Sequence, residues 1–216
     1  MRKNKLGKWL VLILSTIMVL CGCSQETHTT STEKESTSQE EKVVQDVPQE
    51  ELLSGKHHVN IVVKDKGTIA VELDADVAPI SVTNFVQLAK DGFYDGNEFH
   101  RIMEDFMMQG GAPTDPTVSY QTIKGEFSEN GVENPLLHTR GAISMARATK
   151  NDSGSTQFFI VHQDSPHLDG LYACFGYVTQ GMEIVDDICE NTLGGDSNGI
   201  IPKENRPVIE TIEVVD

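Results

Sequence analysis

One stretch of the chain concentrates residues that could act on a ligand. From Phe99 to Gly111 it reads FHRIMEDFMMQGG, placing Arg101 and Gln109 among Phe106, Met107 and other large apolar side chains. If Arg101 faces the same concave surface as Phe106, Met107 and Gln109, the product is an apolar pocket with a fixed cation at its rim. Such a pocket can hold an apolar ring and donate a charged hydrogen bond beside it. Taken alone, the stretch fits a core strand with a surface arginine at least as well.

Other chemistry finds little support. The metalloprotease, dinucleotide, P-loop and nucleophile-elbow motifs are absent from the sequence. His162, Asp164 and His167 could be drawn as a triad, but their spacing selects no such set. His57 and His58 are adjacent, and neighbouring side chains rarely converge on one ion. No metal or cofactor is therefore expected.

The elements that must position Arg101 can be read around it. Val59–Val63 and Thr68–Leu73 alternate on either side of a Lys-Asp-Lys-Gly turn and predict a hairpin. Pro79 suits the first turn of a helix, and Val82, Phe85, Val86 and Ala89 repeat at helical spacing as far as Lys90. Short apolar runs recur at Phe99–Met103, Phe106–Met108, Ala142–Met145, Phe158–Val161 and Cys174–Val178, divided by Gly, Asn, Asp and Pro. Met182–Glu190 predicts a second helix and Val208–Val215 a last strand. The pattern is mostly β: a closed or nearly closed antiparallel barrel with helical lids, not a βαβ repeat. Cys174 and Cys189 fall in apolar settings and are expected as buried free thiols.

Composition bounds the whole. The chain has 216 residues, 17 Lys+Arg against 33 Asp+Glu, a formal net charge of −16 and 38% hydrophobic residues. Nucleic-acid binding needs cations to displace phosphate counterions, and this chain is acidic. Residues 1–22 open with Arg2, Lys3, Lys5 and Lys8 and continue with an apolar run from Trp9 to Cys21, the pattern of a secretory signal. Leu20-Cys21-Gly22-Cys23 at its end resembles the bacterial lipoprotein signal, which implies acylation of Cys23 and anchoring at the extracytoplasmic face of a bacterial membrane. Two acyl chains on one Cys anchor stably where one does not. Residues 23–56 are rich in Ser, Thr, Glu and Gln and are expected as a disordered tether. Scattered Val43, Val44, Val47, Leu52 and Leu53 leave room for a transient helical turn. The folded domain is placed at 57–216.

Four motifs in order give the folded part a family resemblance. FHRIMEDFMMQGG, Gly141–Arg147 (GAISMAR), Gly154–Ile160 (GSTQFFI) and His167-Leu168-Asp169-Gly170 followed by Phe175-Gly176 resemble the signatures of the cyclophilins, peptidyl-prolyl cis–trans isomerases. The helix APISVTNFVQLAKDGFYDG precedes the first motif in family order. The resemblance implies an eight-stranded antiparallel closed barrel capped by two helices. It implies Arg101 as the catalytic arginine, and Phe106, Met107, Phe159 and Leu168 as walls of a proline pocket. Gln109, Ala146 and Arg147 match substrate-backbone contacts, and Gln157 a nearby polar position. His167 stands where many members have Trp, Tyr172 where many have His, and Arg147 where many have Asn. The implied partners are Pro-containing unfolded polypeptides, met by a monomer. A second class, a tethered module that grips Pro-containing segments without turnover, has no use for Arg101.

Overall fold

The computed structural model describes residues 44–45 and 51–216. The signal segment, Cys23 and most of the tether lie outside the described residues. The chain runs β1 (Val44–Gln45), β2 (Lys56–Val63), β3 (Gly67–Asp74), α1 (Pro79–Lys90), β4 (Arg101–Met103), β5 (Met107–Gly110), β6 (Thr122–Ile123), β7 (Ala142–Met145), β8 (Phe158–Val161), β9 (Cys174–Gln180), α2 (Met182–Asn191) and β10 (Ile209–Val214). One sheet holds eight strands in the order β10-β2-β3-β9-β7-β8-β5-β4, and β1 pairs in parallel with β6.

The β2–β3 hairpin forms as the alternation requires. Val59 lies opposite Val71 and Ile61 opposite Ile69, so the buried side chains share one face. Asp65 in the connecting turn has φ 59°, a left-handed geometry that Asp tolerates better than most residues. Helix α1 begins with Pro79 and buries Val82, Phe85, Val86 and Ala89. No side chain of its own caps it. Instead the Glu126 carboxylate accepts the Ile80 N–H at 2.9 Å, the Ser81 N–H at 2.7 Å and the Ser81 hydroxyl at 2.7 Å. A carboxylate there satisfies donors that the first turn leaves free and faces the positive end of the helix. Burial pushes the Glu126 carboxyl above its ordinary value, and those hydrogen bonds pull against the shift.

Beneath α1, Phe85 packs on Tyr94, Phe158 and Phe175 at centroid distances of 5.1, 5.2 and 5.3 Å. This aromatic group belongs to the main core. A second apolar cluster lies apart from it: Met107, Ala142, Phe159, Val161, Leu168 and Cys174, with Phe106, Ala146 and Tyr172 packed against it. β8 explains the separation. Phe158 and Ile160 enter the main core, and Phe159 and Val161 the second cluster. Successive side chains leave a strand on opposite faces. β8 therefore reads as a continuous apolar run and β7 as one broken only by Ser144, because both of their faces are covered.

Four expectations change. The barrel is a half-barrel, because no ladder joins the outer strands β4 and β10. Those edges are linked just ahead of β4 by a bridge between Glu98 and Val208 and by three backbone hydrogen bonds, from Gly96 N–H to the Ile209 carbonyl at 2.8 Å, from Ile209 N–H to the Asn97 carbonyl at 2.7 Å and from Phe99 N–H to the Pro207 carbonyl at 2.9 Å. β4 is shorter than the Phe99–Met103 run. Its outer backbone groups turn to a loop, with Ile102 N–H donating to the Gly199 carbonyl at 2.8 Å and Ile201 N–H to the His100 carbonyl at 2.9 Å. The ordered domain also starts before His57. Leu53 packs against the core, its N–H donates to Thr83 Oγ1 at 2.9 Å, and β2 opens at Lys56. The tether's polar composition hides these contacts because they rest on one leucine and the backbone. Val44–Gln45, within the segment read as tether, forms a two-residue strand, not a helical turn.

Cys174 and Cys189 are both free and buried. Burial pushes the Cys174 thiol up to about 11 and the Cys189 thiol up to about 12. Neither is a reactive thiolate near neutrality.

Candidate active site

The second apolar cluster opens into a cavity of about 110 Å³. Its lining is Arg101, Phe106, Met107, Gln109, Ala146, Arg147, Phe159, Leu168 and Tyr172. All of these were singled out in the sequence. Gln157 and His167 stand one contact behind the lining. The Gln109 amide donates to Gln157 Oε1 at 2.9 Å, and the His167 ring packs against Phe106 with centroids 5.4 Å apart.

Each lining residue is fixed by a local cause. β4 and β5 pair antiparallel with Arg101 opposite Gln109 and Met103 opposite Met107, so Arg101, Met103, Met107 and Gln109 share one face. β5 pairs next with β8, which sets Gln109 opposite Phe159. The turn between β4 and β5 passes through Asp105 at φ 60° and brings Phe106 to the cavity wall. A 3-10 turn at Pro166–Leu168 supplies Leu168.

The guanidinium is held on several sides. Arg101 Nε donates to the Asn198 carbonyl at 2.8 Å and Nη1 to Gln109 Oε1 at 3.3 Å. Nη2 lies 3.2 Å from Met103 Sδ, a weak acceptor. The Arg101 carbon between the nitrogens sits 5.9 Å from the centre of the Phe106 ring. The result is a cation aimed along an apolar wall, with its least committed donor beside a thioether.

Two supports depend on residues outside the motifs. The Asn198 carbonyl is presented by a turn that Asp196 organises. Its Oδ1 accepts the Asn198 N–H at 2.8 Å and the Ile200 N–H at 2.9 Å. Gly199 follows at φ 79°, where an added Cβ would lie 2.4 Å from Met103 Cγ. Asp-Ser-Asn-Gly is readable as a turn, but its carbonyl partner is not. The second support lies under Phe159. Buried His138 stacks on its ring at 6.0 Å and 17°. His138 Nδ1 lies 2.9 Å from Asp169 Oδ1 and Nε2 lies 3.0 Å from Ser144 Oγ. Burial holds the His138 imidazole below its ordinary range. Ser144 is fully buried, so this Asp–His–Ser chain is a brace beneath the cavity and not a nucleophile facing it. Neither His162 nor His167 joins such a set. His162 Nδ1 accepts the Asp105 N–H at 3.0 Å and steadies the β4–β5 turn.

Known proteins match this arrangement. The family model for cyclophilin type peptidyl-prolyl cis-trans isomerase matches residues 58–214. Peptidyl-prolyl cis-trans isomerase B of Bacillus subtilis is 43% identical over 145 residues, covering 66% of this chain and 92% of the relative. A peptidyl-prolyl cis-trans isomerase of Helicobacter pylori is 44% identical over 133 residues, covering 60% and 78%. A crystal structure of a Cryptosporidium parvum cyclophilin superposes with a TM-score of 0.64 at 26% identity, covering 75% of this chain and 99% of that one. The same protein in the presence of the dipeptide Ala-Pro gives 0.63 at 27% identity, covering 74% and 99%. With its half-barrel, its two helices and its arginine-rimmed apolar cavity, the chain belongs to the cyclophilin-type peptidyl-prolyl cis–trans isomerases.

Proposed function

We propose that the cavity binds the proline of an X–Pro bond and that Arg101 catalyses rotation about that bond. The observation that carries this reading is the Arg101 guanidinium, pinned by Asn198 and Gln109 at the rim of an apolar cavity. A peptide C–N bond resists rotation by ~18–20 kcal/mol through resonance. Before proline the two planar forms differ by only about 1 kcal/mol, yet exchange takes tens to hundreds of seconds. No bond is made or broken, so the reaction asks for no nucleophile or cofactor. It asks for a site that binds the twisted amide better than either planar form. In the twisted form the prolyl nitrogen regains a lone pair, and a guanidinium that is always charged donates to it. Phe106, Met107, Phe159 and Leu168 hold the ring while Gln109, Ala146 and Arg147 hold the flanking backbone. Gln157 steadies Gln109, and His167 and Tyr172 shape the rim.

The substrates in this reading are unfolded or newly secreted polypeptides. The enzyme acts as a monomer, anchored through acylated Cys23 at the extracytoplasmic face of a bacterial membrane, with residues 23–50 as the tether. The lipoprotein-like Leu20–Cys23 segment supports the anchor. Two measurements test it. The full chain should accelerate cis–trans exchange of an Ala-Pro peptide, and Cys23→Ala should block acylation and leave an unprocessed or released protein. A Cys23→Ala protein that is processed and still membrane-bound would refute the anchor alone.

A further inference from the structure

The charges around the cavity are unusual for so acidic a chain. The arginines of the described part are Arg101, Arg140, Arg147 and Arg206. Arg140 pairs with Asp186 at 2.7 Å and Arg206 with Glu98 at 3.0 Å. Arg101 and Arg147 have no acidic partner among the described residues, and both line the cavity. No carboxylate joins them in that lining. Arg147 also borders a small adjoining pocket lined by Lys124, whose charge already acts on the nearby Glu126 carboxylate, so Arg147 is the cation left for a ligand.

Arg147 is not a loose surface side chain. Its guanidinium carbon lies 4.7 Å from the centre of the Tyr172 ring and 5.1 Å from that of Phe127. Nε donates to the Leu171 carbonyl at 2.9 Å, and Nη1 to the carbonyls of Ala148 at 3.1 Å and Thr149 at 3.3 Å. Nη2 has no partner among the described residues. Two rings and three carbonyls thus fix the cation before any ligand arrives, so a carboxylate meeting it loses little freedom on the protein side.

We infer that Arg147 makes the site selective for X–Pro segments bearing an acidic residue close to the proline. This deepens the isomerase reading and rests on it. A ligand carboxylate gains the free Nη2 donor of an arginine that has no acidic partner among the described residues, in a cavity whose lining holds no carboxylate. Beyond about a Debye length, ~8–10 Å in ordinary salt, the chain's net negative charge is screened. Arg147 therefore decides the preference.

The test compares kcat/KM for exchange in short Ala-Pro peptides carrying Glu, Gln or Lys two residues before or two residues after the proline, using the full chain. At one of these positions Glu should exceed Gln by about three- to fivefold, the range of a partly exposed ion pair, and Lys should fall below Gln. The Glu-to-Gln ratio should drop to about one in Arg147→Gln and survive in part in Arg147→Lys. Added salt should shrink the wild-type ratio. Equal rates for Glu and Gln at both positions, or a ratio that persists in Arg147→Gln, overturns the inference. If the Gln peptides are turned over without an acidic preference, only this inference fails. If no peptide is turned over, the isomerase reading itself fails.

Discussion

Removing the Arg101 guanidinium should slow catalysis far more than it weakens binding. Of its nitrogens, Nε is committed to Asn198 and Nη1 to Gln109, while Nη2 faces only the Met103 thioether at 3.2 Å. Turning Nη2 to a prolyl nitrogen therefore gives up little. A hydrogen bond from a charged donor is worth roughly 1.5–3 kcal/mol net, and each 1.36 kcal/mol is tenfold in rate. Arg101→Ala should lower kcat by about tenfold to a hundredfold or slightly more. Peptide affinity should change within a few-fold, because Phe106, Met107, Phe159 and Leu168 still form the walls. Arg101→Lys should recover little of the loss, since an ammonium cannot serve Asn198, Gln109 and a substrate in one plane. Asp196→Ala loosens the turn that presents the Asn198 carbonyl and should lower kcat by a few-fold at near-constant KM. Asp196→Asn, which keeps an acceptor, should restore it. Exchange measured by NMR on an Ala-Pro peptide reads all four variants, and titration of the same peptide reads affinity. Full activity in Arg101→Ala would reject the assignment. Equal losses of binding and turnover would show that Arg101 grips the planar ground state.

Two further outcomes concern stability. Glu126→Ala strips the start of α1 of its only side-chain acceptor in the described structure and leaves the Ser81 hydroxyl buried without its partner. Loss of a cap and of a buried partner should cost ~2–4 kcal/mol in urea unfolding, and a cost below about 0.5 kcal/mol would refute the capping role. Burial holds both His138 and His100 below their ordinary 6.5, so the unfolded chain binds more protons than the folded one just below that pH. Stability should therefore be full above pH 6.5 and fall as pH drops beneath it, by up to ~1.4 kcal/mol per unit for each histidine. Urea midpoints from pH 5 to 8 should show this slope, and His138→Gln should flatten it. A midpoint that rises on acidification through that range would contradict the assigned environments.

Much of the fold could be read from the residues alone. α1 follows from its apolar stripe and from Pro79, and the β2–β3 hairpin from alternation about Lys64–Gly67. The cavity side of Arg101, Met107 and Gln109 follows from period-two spacing across a tight turn. The sequence could not tell which strands would meet at the edges of the sheet. That depends on where the Gly199 and Ile201 backbone lands, and main-chain groups leave no trace in residue type. The same holds for Asn198, which acts through its carbonyl. The docking of Leu53 on the core is not legible, because scattered apolar residues in a polar segment have no period. His138 and Ser144 lie only six residues apart, but Asp169 is 31 residues from His138 and all three are common residue types, so only packing shows that they join. Arg147 was marked as a departure from the family pattern. Its freedom from acidic partners is visible only in the structure, where Arg140 and Arg206 each meet a carboxylate and Arg101 and Arg147 do not.

The way β4 ends the sheet bears on how such an enzyme lets go of its clients. A protein that handles unfolded chains meets extended backbone constantly, and a bare sheet edge would zip onto it as an added strand. At β4, a three-residue edge strand that holds Arg101, the outward N–H of Ile102 and carbonyl of His100 are already bonded to the Gly199–Ile201 loop. A client passing the catalytic arginine finds no free ladder there to join. It is held by the proline ring and its neighbours, through contacts that can form and dissolve quickly. The loop thus closes this edge to strand addition, and its removal should leave the Ile102 N–H and the His100 carbonyl open to an extended chain.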